Sequence, residues 1–537
     1  MKRKAAERDR VLEAAWIFLA VIVFGFVIAI RIRLLGIPLE RDEGEYAYSG
    51  QLMLQGIPPY KLAYNMKFPG TYAAYALIMA LFGQTIVGIH LGLLLINAAT
   101  ILLIFLLGRR LVDSMAGLAA AMTYAVLSVS PSVFGFAAHA EHFVMLPALG
   151  GTLLLLNESD GRDFGRLFVS GLLFGTSLLM KQPAACFVLF GAFYLLSNDL
   201  RCKRGWKRIV LRNLTFDLGA VVPLGIACLF LWRAGVFDKF WFWTINYARE
   251  YGTLVPLGIA AKLFAKTASG VINSTWLLWT LAGLGIIAGL WNKRMRSSAV
   301  FLVGFLAFSL VAFSAGFYFR QHYYIFVLPA ASLFAGVAIS ALPNLTARHS
   351  NFVRFALLLL FCVALSQPIL AGRKFFFEVS PVQASRLCYE GNPFPESVRV
   401  AEYLRDHTNV GDTIAVFGSE PEIYFYSKRH SATGYIYTYG LMEAQSYARQ
   451  MQEEMIRQIE SARPKYLIWI GVPTSWLRQP TSEGMIIAWG NDYVEKFYDV
   501  VGLVNILSPD QTDYYFDQLP SPMPPLGNHI FICRRKS

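Results

Sequence analysis

Arg41-Asp42-Glu43-Gly44-Glu45-Tyr46-Ala47-Tyr48 follows closely on a long apolar run, residues 11–30, and sets three carboxylates beside what reads as a membrane boundary. Ionised groups at such a depth are costly unless they are paired or put to work. A second polar cluster, Asn65-Met66-Lys67-Phe68-Pro69-Gly70, comes later in the same connection. The loop therefore reads as half of a catalytic site, with later helices supplying the other half.

The rest of the chain supports a membrane setting. Its 537 residues are 55% hydrophobic and only 15% charged, against about 25% charged in a soluble domain. Lys and Arg outnumber Asp and Glu by 48 to 35. The basic residues fall in short clusters between apolar runs, a topology pattern facing anionic lipid rather than a nucleic-acid surface. Six cysteines show no CxxC and no zinc spacing. A basic start and a long apolar run without a small-residue cleavage site make residues 1–30 a signal anchor.

Runs long enough to span, roughly 17–25 residues, cover 11–30, 86–107, 111–130, 214–232, 271–291, 299–319, 325–342 and 352–371, with a shorter one at 142–156. Lys181-Gln182-Pro183 interrupts residues 167–196. Lys2, Arg3, Lys4, Arg8 and Arg10 place the N-terminus in the cytoplasm, and Arg109-Arg110 and Lys293-Arg294-Met295-Arg296 then fall inside too. The basic run 201–212 is inside only if 167–196 crosses twice, with Lys181 at the outer turn. Residues 234–270 are then external, despite Lys239, Arg249, Lys262 and Lys266. The expectation is an α-helical polytopic membrane protein with about eleven transmembrane helices. Residues 1–371 form its transmembrane domain, with a first outer loop at 31–85, and 372–537 an extracytoplasmic α/β domain. That domain shows helices at 396–407 and 443–461 and strands at 413–417, 466–470 and 529–533, a small and partly parallel sheet. Gly418-Ser419-Glu420 after its first strand is too slight to mark a nucleotide site. Cys388 and Cys533, the two cysteines placed outside, are expected to pair.

On this topology the reactive side chains collect at the outer face. Asp42 and Glu43 are neighbours and point in different directions, so one can face a cavity while the other bonds to backbone or to Arg41. The plain alternative is a solvated loop. His139 and His142, at i and i+3, suit one helical face, and with Asp42 they could bind a divalent cation. Polar residues at the headgroup level account for them equally. Lys181 is either a functional ammonium or a snorkelling one. Arg320-Gln321-His322-Tyr323 offers donors suited to phosphate oxygens; its plain counterpart is an aromatic belt with one Arg anchor.

In order and sidedness these elements resemble the GT-C glycosyltransferases. The nearest group is the protein O-mannosyltransferase and lipid A aminoarabinose transferase-like family of bacterial membrane enzymes. The resemblance covers residues 11–371. It rests on the Asp42-Glu43 pair, the Lys67-x-Pro69 element, Glu141 opening the fourth helix, and Arg320-x-His322-Tyr323 before a late helix. It implies that Asp42 is the catalytic carboxylate, with Glu43 beside it. Glu141 takes a second acidic position where Asp is more usual. Lys67, Arg320, His322 and Tyr323, with Lys181, would contact the donor phosphate. The oligosaccharyltransferase signature Trp-Trp-Asp-Tyr-Gly is absent, which argues against whole-glycan transfer.

The chemistry also follows from the residues alone. A sugar on a polyprenyl phosphate is already activated and needs no nucleotide site. Transfer needs a carboxylate base for the acceptor hydroxyl and cationic donors for the departing phosphate, and one-step displacement inverts the anomeric centre. The expected partners are a polyprenyl-phosphate-linked sugar donor and a glycan, lipid or protein acceptor, at a bacterial inner membrane and without nucleic acid. No cofactor is required, and a divalent metal ion is left open. Asp42 is expected to face a cavity that Glu141 also lines, with Lys67, Arg320 and His322 on its membrane side. A transporter would instead hold ionisable groups within helices near the midplane. A polyprenyl-lipid-binding scaffold would leave the carboxylates dispensable.

Overall fold

The computed structural model describes residues 2–157, 163–293, 295–345 and 351–536. Arg294 and the side chains of Lys2, Arg3, Lys4, Arg8 and Arg10, all read above as topology signals, lie outside the described residues. The chain divides into two compact units. The first comprises Met1–Leu34, His90–Ala227 and Val255–Glu378; the second comprises Leu35–Ile89, Cys228–Leu254 and Val379–Ser537.

The first unit is helical and apolar. Among the described residues of the chain six helices are long and apolar enough to cross a membrane: Val11–Arg33, Ile86–Leu111, Gln182–Arg201, Trp206–Arg233, Arg296–Phe313 and Val353–Ala371. A seventh is reached if the broken pair Phe237–Gly252 and Leu257–Asn273 is one span, and shorter apolar helices include Ser114–Leu127, Ala140–Leu156, Phe164–Met180, Trp276–Trp291 and Leu328–Ala341. The chain is a multi-pass membrane protein. Its helices approach closely through small residues, as lipid-embedded helices do. A Cβ on Gly285 would lie 1.8 Å from the Phe334 carbonyl oxygen, so helix Trp276–Trp291 meets helix Leu328–Leu345 backbone to backbone. The interruption expected at 181–183 is present. Lys181 is extended (φ −157°, ψ 136°) between helices Phe164–Met180 and Ala185–Arg201, because Pro183 cannot continue the first helix: it lacks the N–H that would bond the carbonyl four residues back, and its ring clashes there. Near the end of the second of these helices Asp199, fully buried, is paired with Arg212 at 2.9 Å and Arg204 at 3.0 Å.

The second unit is built on a six-stranded mixed sheet. Its strands are β1 (Thr413–Phe417), β2 (His430–Ser431), β3 (Tyr466–Gly471), β4 (Tyr498–Ser508), β5 (Gln511–Phe516) and β6 (Asn528–Arg535), in the order β2-β1-β3-β6-β4-β5. β1 is parallel to β2 and β3, and the remaining pairs are antiparallel. Three strands and the helix Phe394–His407 match the sequence reading. The β4–β5 hairpin does not, because Val-Val-Gly-Leu-Val-Asn-Ile-Leu carries no alternation and a continuous apolar run does not declare its type. The amphipathic helix begins at Ala448 rather than 443, since Tyr439–Met442 forms a short turn of its own and Glu443 is extended. Tyr64 from the first loop and Trp243 and Tyr247 share one buried core with Phe417, Leu467 and Ile486. The disulfide expected between Cys388 and Cys533 is not formed, and both thiols are free. Cys533 is held inside the sheet opposite Leu467 and Val500, whereas Cys388 sits on helix Pro381–Tyr389.

Candidate active site

In the second unit the opening stretch becomes helix Arg41–Leu54. Its start is fixed by a capping box. Glu40 accepts from the Glu43 N–H at 3.0 Å, and Glu43 accepts from the Glu40 N–H at 3.3 Å, satisfying amides that a helix N-terminus leaves open. Glu43 is thus buried in the cap. Asp42, one residue earlier, keeps 16% of its side chain exposed. Its Oδ1 accepts from Lys67 Nζ at 2.9 Å and from the Tyr437 hydroxyl at 2.7 Å.

Lys67 also donates to Glu45 Oε2 at 2.7 Å, and Tyr72 donates to Glu45 Oε1 at 2.6 Å. One ammonium therefore bridges two carboxylates, with the Tyr46 ring 4.6 Å from it. Burial opposes the charge on Lys67, but Asp42 and Glu45 outweigh it and hold the ammonium above the ordinary lysine range. Glu45 is fully buried, and desolvation raises its carboxyl against the opposing pull of Lys67. Desolvation, reinforced by Asp42, likewise lifts the Tyr437 phenol well above its usual value, so it stays a donor. Arg41 fastens the same helix end to the sheet, donating to the Ser419 carbonyl at 2.5 Å and to Glu420 Oε1 at 2.9 Å.

In the first unit Glu141 stands in the first turn of helix Ala140–Asn157 and is fully buried. Lys181 Nζ reaches its Oε1 at 2.5 Å and His322 Nε2 lies 3.8 Å from the same atom. His322 stacks on His139 with ring centroids 4.1 Å apart, and Lys181 lies 4.5 Å above the Tyr323 ring. Glu141 Oε2 is buried with no hydrogen-bond partner among the described residues, a position where a bound group or water is expected.

Within the second unit the structure brings together Asp42 and Lys67, and within the first Glu141, Lys181, His322, Tyr323 and His139. Arg320 is half-buried, with its guanidinium 5.7 Å from the Tyr318 ring. His142 turns to Asn97, Nδ1 to Nδ2 at 3.5 Å. The helical i/i+3 spacing does not govern His139 and His142, because His139 precedes the helix. Imidazole and carboxylate donors of the kind a divalent cation accepts are present at His139, His322 and Glu141. Sequence reasoning missed Glu45 as a partner of Lys67, although Asp42 and Glu45 at i and i+3 share a helical face. Tyr437 carried no signal, lying 395 residues from its acceptor.

Residues 67–232 match the family profile described as dolichyl-phosphate-mannose-protein mannosyltransferase. A curated relative, the undecaprenyl phosphate-alpha-4-amino-4-deoxy-L-arabinose arabinosyl transferase of Pseudomonas aeruginosa, is 27% identical over 300 residues, which span 51% of this chain and 50% of that protein. Among solved structures, ArnT from Cupriavidus metallidurans bound to undecaprenyl phosphate superposes with a TM-score of 0.59 at 14% identity, covering 96% of this chain and 97% of its own. The chain shares the fold of ArnT. A second neighbour is the Archaeoglobus fulgidus oligosaccharyltransferase AglB in complex with an inhibitory peptide and a dolichol-phosphate. It has a TM-score of 0.53 at 13% identity, covering 94% of this chain and 75% of that one. The ArnT fold is therefore shared along the chain, including the expected C-terminal α/β part.

Proposed function

We propose that this protein transfers a sugar from a polyprenyl-phosphate donor to a hydroxyl of an envelope acceptor (lipid, polysaccharide or protein) with inversion at the anomeric carbon. The observation that carries the reading is Asp42. It is a partly exposed carboxylate at a capped helix start, steered through Oδ1 by two donors that cannot take its proton in the neutral range. Such a group is suited to receive a hydroxyl proton as the acceptor oxygen attacks. Glu43 holds the helix end that presents it, and Lys67 fixes its charge and direction.

Lys181, His322 and Tyr323, ordered around Glu141, are assigned to the departing phosphate, with Arg320 as a further cation. Preorganised cationic donors are what a developing phosphate charge requires. The relatives, which act on undecaprenyl-phosphate- or dolichyl-phosphate-linked sugars, support the donor class. Asp42, His139 and His142 are not favoured as a metal set, since His142 is directed to Asn97. We further assign eleven spans, the six long helices and five of the shorter ones. The N-terminus is cytoplasmic and the residues after 371 are extracytoplasmic, in a bacterial inner membrane.

The deciding experiment is transfer of labelled sugar from a polyprenyl-phosphate donor by wild type and Asp42→Asn. The variant should lose about 10²–10⁴-fold in rate while still binding donor. Undiminished transfer by Asp42→Asn would return the carboxylates to a structural role. A reporter fused after Ser537 should be active only outside the cytoplasm.

A further inference from the structure

The strand order β2-β1-β3, with all three parallel, makes a reversal of winding at β1 and β3. In open α/β sheets a crevice outside the carboxyl ends of strands at such a reversal is the place where ligands bind. At the carboxyl end of β3, one of the two strands at the reversal, a cavity of about 610 Å³ is formed by that strand's last residues and the turn after it. Its walls are Trp469, Pro473, Trp476 and Leu477, and its polar lining includes Thr474 and Arg478. The volume is in the range of small-molecule sites, and the mixture is theirs too, mostly apolar walls with few oriented polar groups. Indole and aliphatic walls suit the C–H face of a pyranose, while a hydroxyl and a guanidinium suit its ring hydroxyls. Only one cationic side chain lines the cavity, so a polyphosphate is a poor match.

The crevice is wired to the helix that carries Asp42. Thr474 donates to Asn392 Oδ1 at 2.8 Å, and Arg41 Nη2 donates to the same oxygen at 3.1 Å. Ser475 donates to Glu420 Oε2 at 2.6 Å, and Arg41 Nη2 reaches Glu420 Oε1 at 2.9 Å. Two short hydrogen-bonded chains therefore join the turn after β3 to the residue preceding Asp42. We propose that this crevice is a saccharide-binding subsite for the acceptor, registered to Asp42 through Arg41. The assignment rests on the sugar-transfer reading above and adds to it the chemical class of the acceptor, a glycan-bearing molecule.

The test uses the full chain in detergent, titrated with maltotriose as a neutral probe and with trigalacturonate as an acidic one, following tryptophan emission. Leu477→Asp and Arg478→Ala alter the crevice from exposed positions. Leu477 has φ +50°, a conformation that Asp tolerates better than Leu, so this change does not strain the turn. Leu526→Asp, an equally exposed apolar position outside the crevice, is the control. At least one probe should change emission in wild type and in the control, with at least tenfold weaker binding in both crevice variants at unchanged melting temperature. The neutral and acidic arms decide which kind of sugar is held. No response to either probe, or wild-type binding by Leu477→Asp, overturns the subsite. Failure of the function reading is separately visible: wild type would transfer no sugar from polyprenyl-phosphate donors, while the saccharide titration would still report on the crevice.

Discussion

Replacing Lys67 by Met removes the one cation that lies between Asp42 and Glu45. At an effective dielectric constant of about 20, each contact of 2.7–2.9 Å corresponds to roughly 6 kcal/mol of attraction before desolvation is set against it. The net loss on removing one partner of a buried pair is about 3–5 kcal/mol, because the charge left behind has no compensation. Glu45, fully buried, bears most of it, while Asp42 at 16% exposure is partly relieved by solvent. For a unit of roughly 150–250 residues this is a fall in melting temperature of about 10 °C. Melting is compared at fixed scan rate, since many large multidomain proteins unfold irreversibly.

The sign of the pH dependence follows from Glu45. Its folded carboxyl is raised above the usual value by burial even with Lys67 present, and losing Lys67 raises it further. A group with a raised folded pKa binds more protons when folded, so its contribution is fully present below the unfolded pKa and is lost as pH rises through the folded one. The Lys67→Met deficit should therefore be smaller at pH 5 than at pH 8. Adding Glu45→Gln should restore at least half of it, because the uncompensated charge is gone. A pH-independent deficit that Glu45→Gln does not relieve would refute the claim that Lys67 acts by holding two carboxylates.

Gly44→Ala should destabilise by about 1–3 kcal/mol in thermal melts, since a Cβ there would lie 2.6 Å from the Glu422 backbone nitrogen and overpacking against backbone finds no cheap relief. Burial, with Glu420 adding to it, raises Glu422 to about 8. Wild-type stability should fall as pH rises from about 4.5 to 8, and Glu422→Gln should flatten that slope in melts across the range. Arg212→Met should lower the yield of folded protein and the melting temperature by the equivalent of about 3–5 kcal/mol, because it strips a partner from the fully buried Asp199. Lys181→Ala should raise the donor KM and lower kcat in the labelled-sugar assay, whereas a wild-type donor KM would detach it from the phosphate.

What the sequence made legible, and what it hid, has a physical pattern. Apolar run length and the basic clusters announced the membrane helices because a bilayer imposes a length and a charge asymmetry that are local in sequence. The break at Lys181 was equally local, set by Pro183. Asp42 stood out for the same reason, being a carboxylate where carboxylates are costly. Its neighbour Glu43 did not reveal its role, because a capping box opened by Glu rather than by Ser or Thr falls outside the usual signature. The partners that give Asp42 its direction were hidden more deeply. Lys67 is 25 residues away and Tyr437 is 395, and nothing in a residue's own neighbourhood reports a hydrogen bond closed over such a distance. Lys67 was noticed as a cation and assigned to phosphate, yet its geometry is that of a bridge between carboxylates. A lysine's type says that it will seek oxygen anions; only the fold says which are near. The C-terminal sheet bears most directly on this point. Read from sequence, it is a variable appendage with no motif of its own. Yet its segments supply Tyr437 to Asp42 and Ser419 and Glu420 to Arg41. A carboxylate held by donors from both the first loop and the last third of the chain can act as a precise base only when the whole second unit is folded. Loss of that sheet should therefore reach Asp42 as directly as a substitution beside it.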